Sequence, residues 1–151
     1  MTAEIKAYQN LSTDDFHDII QLRIAVFVIE QNCPYQDLDG KDKKAFHLML
    51  KNEEGKLVGT ARILPAGVSY NEVSIGRVAS HPDHRNEQLG HAIMTVSMQF
   101  VQEMWTESDV RISAQSHLCN YYSKHGFVKT GKEYLEDDIP HSEMLFTFNK
   151  S

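Results

Sequence analysis

Apolar positions along the chain follow two rhythms. Phe16, Ile19, Ile20, Leu22, Val26 and Phe27 recur at near-helical spacing. Ser12 to Asp15 just before them supply an oxygen-bearing cap and first-turn acids, which predicts a helix running to about Glu30, with Pro34 as its stop. Residues 4–8 read as a first strand. Residues 45–50 and 56–64 read as two more, joined by the turn-like Asn52 to Gly55 into an antiparallel hairpin, and a polar loop covers residues 34–44. Residues 73–80 and 109–114 are further strand-like runs. Between them Leu89, Ile93, Val96, Phe100 and Met104 form one apolar stripe, so a helix starting near Gln88 covers a sheet. A short helix at residues 117–125 follows, then strands at 127–134 and 142–148 with a turn at 136–140; Met144, Phe146 and Phe148 alternate with polar neighbours.

Strand, loop, helix, strand over residues 73–114 is one crossover unit. It places a helix N-terminus at the mouth of the sheet, where backbone N–H groups and partial positive charge suit a phosphate.

Composition narrows the function classes. The 151 residues suffice for one core, and we read residues 1–151 as a single domain. Net charge is −6 with no basic run, which disfavours nucleic acid and mildly favours a cationic small molecule or peptide. No apolar run approaches the roughly 18 residues of a membrane span. Cys33 and Cys119 lack the number and spacing of a disulfide scaffold; both read as small buried thiols, and the chain as cytoplasmic.

Asp37-Leu-Asp-Gly-Lys-Asp42 lacks the closing glutamate of a calcium loop and reads as a solvated loop. His81, His84 and His91 lack the one-face spacing of a zinc pair, so no metal is expected. Arg62 and Arg77 interrupt apolar strand runs and need partners. For Arg62 an internal ion pair with an acid such as Glu30 or Asp39 is favoured. For Arg77, an ion pair and a substrate carboxylate both stay open.

Arg85, Gln88 and Gly90, together with the downstream Tyr122-x-x-x-Gly126-Phe127, resemble the signature of the GNAT superfamily of acetyl-CoA-dependent N-acetyltransferases; Gln88 stands where that family has its first glycine. Residues 22–35, 61–63, 75–78, 115–117 and 139–141 look like the characteristic segments of its ElaA-like group. The resemblance implies an α/β fold: a mixed, mostly antiparallel sheet with two splayed central parallel strands and helices on both faces. It implies acetyl transfer to a primary amine of a small molecule or peptide, directly, in a ternary complex.

Carried onto this chain, coenzyme A would be held by Val78, Ala79 and Ser80 along the pantetheine arm. Arg85, Asn86, Glu87, Gln88, Leu89, Gly90 and His91 would surround the pyrophosphate, with Asn120 and Tyr122 beside the thioester. Tyr122 matches the family's general acid. Among Glu30, His117, Glu136, His141 and Glu143 as bases, His117 and His141 rank first because an imidazole titrates near neutral pH. Glu30, Gln31, Tyr35, Arg77, Gln115 and Glu136 are expected to meet the acceptor. A monomer and a homodimer are both compatible. Two other classes stay open, a non-catalytic acyl-CoA-binding sensor and a partner-binding adaptor on the same fold.

Overall fold

A computed structural model describes residues 1–85 and 87–148. Strand β1 (Thr2–Ala7) leads to helix α1 (Thr13–Arg23), which continues as a π-helix over Ile24–Glu30. Its start is local chemistry. Ser12 Oγ accepts from the Asp15 N–H while the Asp15 carboxylate accepts from the Ser12 N–H, a reciprocal capping box. The expected helix therefore reaches Glu30, with its last turns widened.

A 3₁₀ turn at Gly40–Lys44 precedes β2 (Phe46–Lys51) and β3 (Leu57–Leu64), which pair antiparallel as the hairpin predicts. Then come β4 (Ser74–Ser80), α2 (Glu87–Met104), β5 (Val110–Gln115), α3 (Cys119–Ser123), β6 (Val128–Glu136) and β7 (Ile139–Phe146). Asp137 and Asp138, both at positive φ, turn the last hairpin in two residues.

The strands form a four-stranded sheet, β1-β2-β3-β4, and a three-stranded sheet, β5-β7-β6, each antiparallel throughout. β4 and β5 meet at one parallel bridge, Val73 to Val110, where the Arg111 N–H donates to the Val73 carbonyl at 2.9 Å. Beyond the bridge no ladder joins them among the described residues. The sheet opens there instead of continuing, and that opening positions the site.

Alternation along the strands sends residues to opposite faces. Met49, Leu57 and Ala79 pack under Ile19, Leu22 and Val26 of α1. Leu48, Leu50, Ala61 and Ile63 pack with Leu89, Ile93 and Val101 of α2. The inward line of α2 departs from the expected stripe. Ser97 and Val101 are fully buried, whereas Met104, the last helical residue, is 47% exposed. Phe100 instead flanks the contact against Phe46 and Trp105. Among the described residues no helix is long and apolar enough to cross a membrane.

Candidate active site

Where β4 and β5 part, a cleft of about 210 Å³ opens. Ile75, Gly76, Arg77 and Val78 line it from β4, and Ile112, Ser113 and Gln115 from β5. Gln31, Cys33 and Tyr35 close it from the segment after the π-helix; Glu136, Asp137, Ile139 and His141 close it from the last hairpin. Tyr122 lines it from α3. Gln31, Tyr35, Arg77, Val78, Gln115, Tyr122, Glu136 and His141 are all residues expected at the site. The fold brings these eight together.

β4 is irregular inside the cleft. Thr60 pairs with Ala79 but Arg62 with Gly76, so Arg77 and Val78 together face the single residue Ala61. Arg77 takes φ = +48°, a conformation that costs a side-chain-bearing residue on the order of 1 kcal/mol and persists only where surroundings impose it. The bulge is held by charge. Arg77 Nε lies 2.8 Å from Asp37 Oδ1 and its Nη2 3.5 Å from Asp39 Oδ2. Arg62 bridges Asp39 at 2.7 Å and Asp42 at 3.1 Å, and Arg23 joins Asp42 and Asp37, both at 2.8 Å.

Arg23, Asp37, Arg77, Asp39, Arg62 and Asp42 thus close a ring of alternating charge. Asp37 and Asp42 are 5% and 1% exposed, which corrects the expectation of a solvated acidic loop: three arginines carry these acids inside. The ring gives both arginines acidic partners: Arg62 has the ion pair expected with Asp39, and Arg77 pairs with Asp37 while still lining the cleft. The neighbouring charges hold the Asp42 carboxylate below its ordinary range against the opposing effect of burial.

The phosphate-binding expectation falls on the turn from β4 into α2. Asn86 lies outside the described residues, and Glu87 is the first residue of the helix. Arg85 Nη1 and Nη2 grip Glu30 at 2.6 and 2.8 Å, and Arg85 Nη2 also donates to the Ser80 carbonyl at 2.9 Å. Glu30, expected on the acceptor, therefore stands outside the cleft as the partner of Arg85. Leu89 and Ala79 are core residues rather than surface ones. Gly90 sits under the Tyr121 ring: a Cβ there would meet Tyr121 Oη at 3.0 Å. His91 Nδ1 lies 3.0 Å from His125 Nε2, and Asn120 is exposed on α3.

The acid and base candidates separate clearly. Tyr122 is buried, and burial pushes its phenol well above the usual value. His141 is buried, its Nδ1–H donating to the Ile139 carbonyl at 2.7 Å and its Nε2 lying 3.4 Å from Glu136 Oε2, with Tyr134 stacked on the ring. His117, ranked equally from sequence, is exposed on the turn before α3 and does not line the cleft. Glu143 is taken by Arg111 at 2.9 Å, which also binds Glu72 at 2.8 Å.

Among the cleft residues that the sequence does not single out for the site are Cys33 and Tyr70. Cys33 is half-buried and lines the cleft, its thiol 3.7 Å from the Asp137 carbonyl, so only Cys119 is the buried thiol expected of both. Tyr70 lines it as well, its phenol pushed up to about 12 chiefly by burial. Nothing local marks Tyr70. Arg23 did carry a signal, since it falls four residues after Ile19 and three before Val26, on the apolar line of α1.

The Acetyltransferase (GNAT) domain family matches residues 14–148. The chain is 40% identical over 140 residues to the protein ElaA of Escherichia coli, covering 91% of this chain and 90% of that one. Among solved structures, an acyl-CoA N-acyltransferase from Pseudomonas aeruginosa superposes with a TM-score of 0.91 at 38% identity, over 97% of this chain and 100% of that one. Escherichia coli ElaA superposes with a TM-score of 0.88 at 36% identity, over 97% and 99%.

Proposed function

The chain belongs to the GNAT acetyltransferase family, and from that premise we propose that it moves an acetyl group from acetyl-CoA to the primary amine of a small molecule or peptide, directly, within a ternary complex. That it is an acyl-CoA-dependent acyltransferase follows from the family. The finer reading rests on one observation: the opening between β4 and β5 carries Tyr122, Val78 and His141 on its walls.

The residues present suit an acyl-CoA donor. Past the Val73–Val110 bridge, the edge of β4 that faces β5 enters no ladder among the described residues, so its backbone at residues 78–80 suits an extended amide-bearing arm that pairs as an added strand. After a 3₁₀ turn at Pro82–His84 comes the N-terminus of α2, where Arg85 and the backbone of residues 87–91 suit a phosphate. The donor supplies a thioester carbonyl. Everything else is the work of side chains.

The acceptor amine must reach that carbonyl neutral. With Nδ1–H held by the Ile139 carbonyl, the lone pair of His141 is on Nε2, which faces Glu136 Oε2 at 3.4 Å, so the two act as one base: the amine's proton, taken by either, ends shared between imidazole and carboxylate. Tyr122 holds its proton at neutral pH because burial disfavours the phenolate. A thiolate is a weaker base than that phenolate, so Tyr122 acts mainly by hydrogen-bonding the departing sulfur as its charge develops.

Thiol release from acetyl-CoA, screened against polyamines, amino acids, aminoglycosides and peptide N-termini, tests the reading. Amine-dependent release that falls in Tyr122→Phe is the expected result. Tight acetyl-CoA binding with no acceptor acetylated, and indifference to Tyr122→Phe, would move the protein to the sensor class.

A further inference from the structure

The ring of charges has one member that touches both walls of the cleft. Asp37 Oδ1 accepts from Tyr35 Oη at 2.7 Å and pairs with Arg77 Nε at 2.8 Å, while Oδ2 accepts from Arg23 Nε at 2.8 Å. Its carbonyl accepts from Arg77 Nη2 at 3.2 Å and Arg23 Nη2 at 3.1 Å. Arg77 in turn lies over the Tyr35 ring, 5.7 Å from the centroid. Asp42 is as deeply buried and as fully paired, yet its carboxylate meets Arg23, Arg62 and the Asp39 N–H, none of them on β4 or on Tyr35. Asp39 reaches Arg77 only at 3.5 Å.

We propose that Asp37 is a positioning residue for acyl transfer: through Arg77 it holds the bulge that sets residues 78–80, and through Tyr35 it holds the opposite wall, so one carboxylate aligns donor strand and acceptor wall. This rests on the acyltransferase reading of the cleft. The physical link is the positive φ of Arg77, which an arginine abandons unless its side chain is anchored. Relaxation there absorbs the extra residue of the bulge, and a one-residue slip turns the faces of the residues beyond it over. The strand edge facing the donor then presents different backbone groups. Arg23, Asp37 and Asp42 are buried structural charges in any reading, so loss of stability alone does not distinguish the proposal.

The test compares Asp37→Asn with Asp42→Asn in the full chain. Coenzyme A affinity is measured by calorimetry, folding by circular dichroism, and kcat and KM with the best amine at a temperature where each variant is folded. Both substitutions lower Tm; only Asp37→Asn weakens coenzyme A binding, by about tenfold, and lowers kcat at saturating substrates. Affinity of Asp37→Asn within about twofold of the unaltered protein, or an equal loss in Asp42→Asn, overturns the positioning role. If Asp37→Asn does not fold, Arg77→Gln cuts the same link from the strand, and unchanged coenzyme A affinity in that variant overturns it too. Failure of the unaltered protein to bind coenzyme A would instead sink the acyltransferase reading of the cleft.

Discussion

Arg23 and Asp42 lie fork to fork in the interior, Nη1 2.8 Å from Oδ1 and Nη2 3.2 Å from Oδ2, each residue about 1% exposed. The pair ties α1 to the turn before β2 across nineteen residues of sequence. Removing one partner strands a buried charge. Arg23→Ala or Asp42→Asn is expected to cost about 3–5 kcal/mol in urea unfolding, and the double variant less than the sum of the two.

A second expectation concerns acid. Burial holds the His47 imidazole below its ordinary 6.5, and its Nε2–H donates to the Asp42 carbonyl at 2.9 Å. Below pH 6.5 the unfolded chain takes a proton there that the folded chain refuses, so this stability is present above that pH and is lost as pH falls toward the folded value. His125 is depressed by burial in the same direction. Thermal melts of His47→Gln should start lower at neutral pH and vary less between about pH 6.5 and 5.

Gly90 and Tyr121 test a close approach. Alanine ordinarily stabilises a helix interior over glycine by about 1 kcal/mol. Here its Cβ would meet Tyr121 Oη at 3.0 Å, so Gly90→Ala is expected to be neutral or destabilising. In a Tyr121→Phe background the oxygen is gone and the same change should stabilise. Equal effects in both backgrounds, measured by Tm, would remove the contact as the reason for glycine.

For Tyr122→Phe the expected outcome is a kcat lower by about 10²-fold or more with KM for acetyl-CoA little changed. Because burial raises the phenol, it stays protonated across the working range. The pH–rate profile should therefore fall in height without changing shape.

Glu30 occupies the guanidinium that the phosphate reading needs. The pair is exposed, so its net strength is about 0.2–1 kcal/mol. Glu30→Gln frees Arg85 and should tighten coenzyme A by up to about fivefold at low salt. Weaker binding in that variant would show that the pair supports the turn instead.

How far the sequence could be read depended on the range of each interaction. The Ser12 capping box, the Asn52 to Gly55 turn and the β6–β7 hairpin were legible because all their partners lie within a few residues. The α2 stripe was half legible. Periodicity named Leu89 and Ile93 correctly, but whether Met104 or Val101 meets the sheet depends on where the sheet ends. Asp37, Asp39 and Asp42 looked like a solvated loop because their arginines come from positions 23, 62 and 77. His117 and His141 looked alike as bases, and only burial separated them.

Spacing, capping and the Arg85–Gly90 and Tyr122–Phe127 segments were enough, from sequence alone, for the elements, the family resemblance and most of the cleft's residue list, since each is a pattern written in neighbouring residues. Pairing was decided only by the tertiary structure. Which acid meets which arginine, that Glu30 faces Arg85, and that Cys33 reaches the cleft all follow from chain segments that meet only after β4 and β5 have parted, because charges and thiols carry no periodicity to announce their partners.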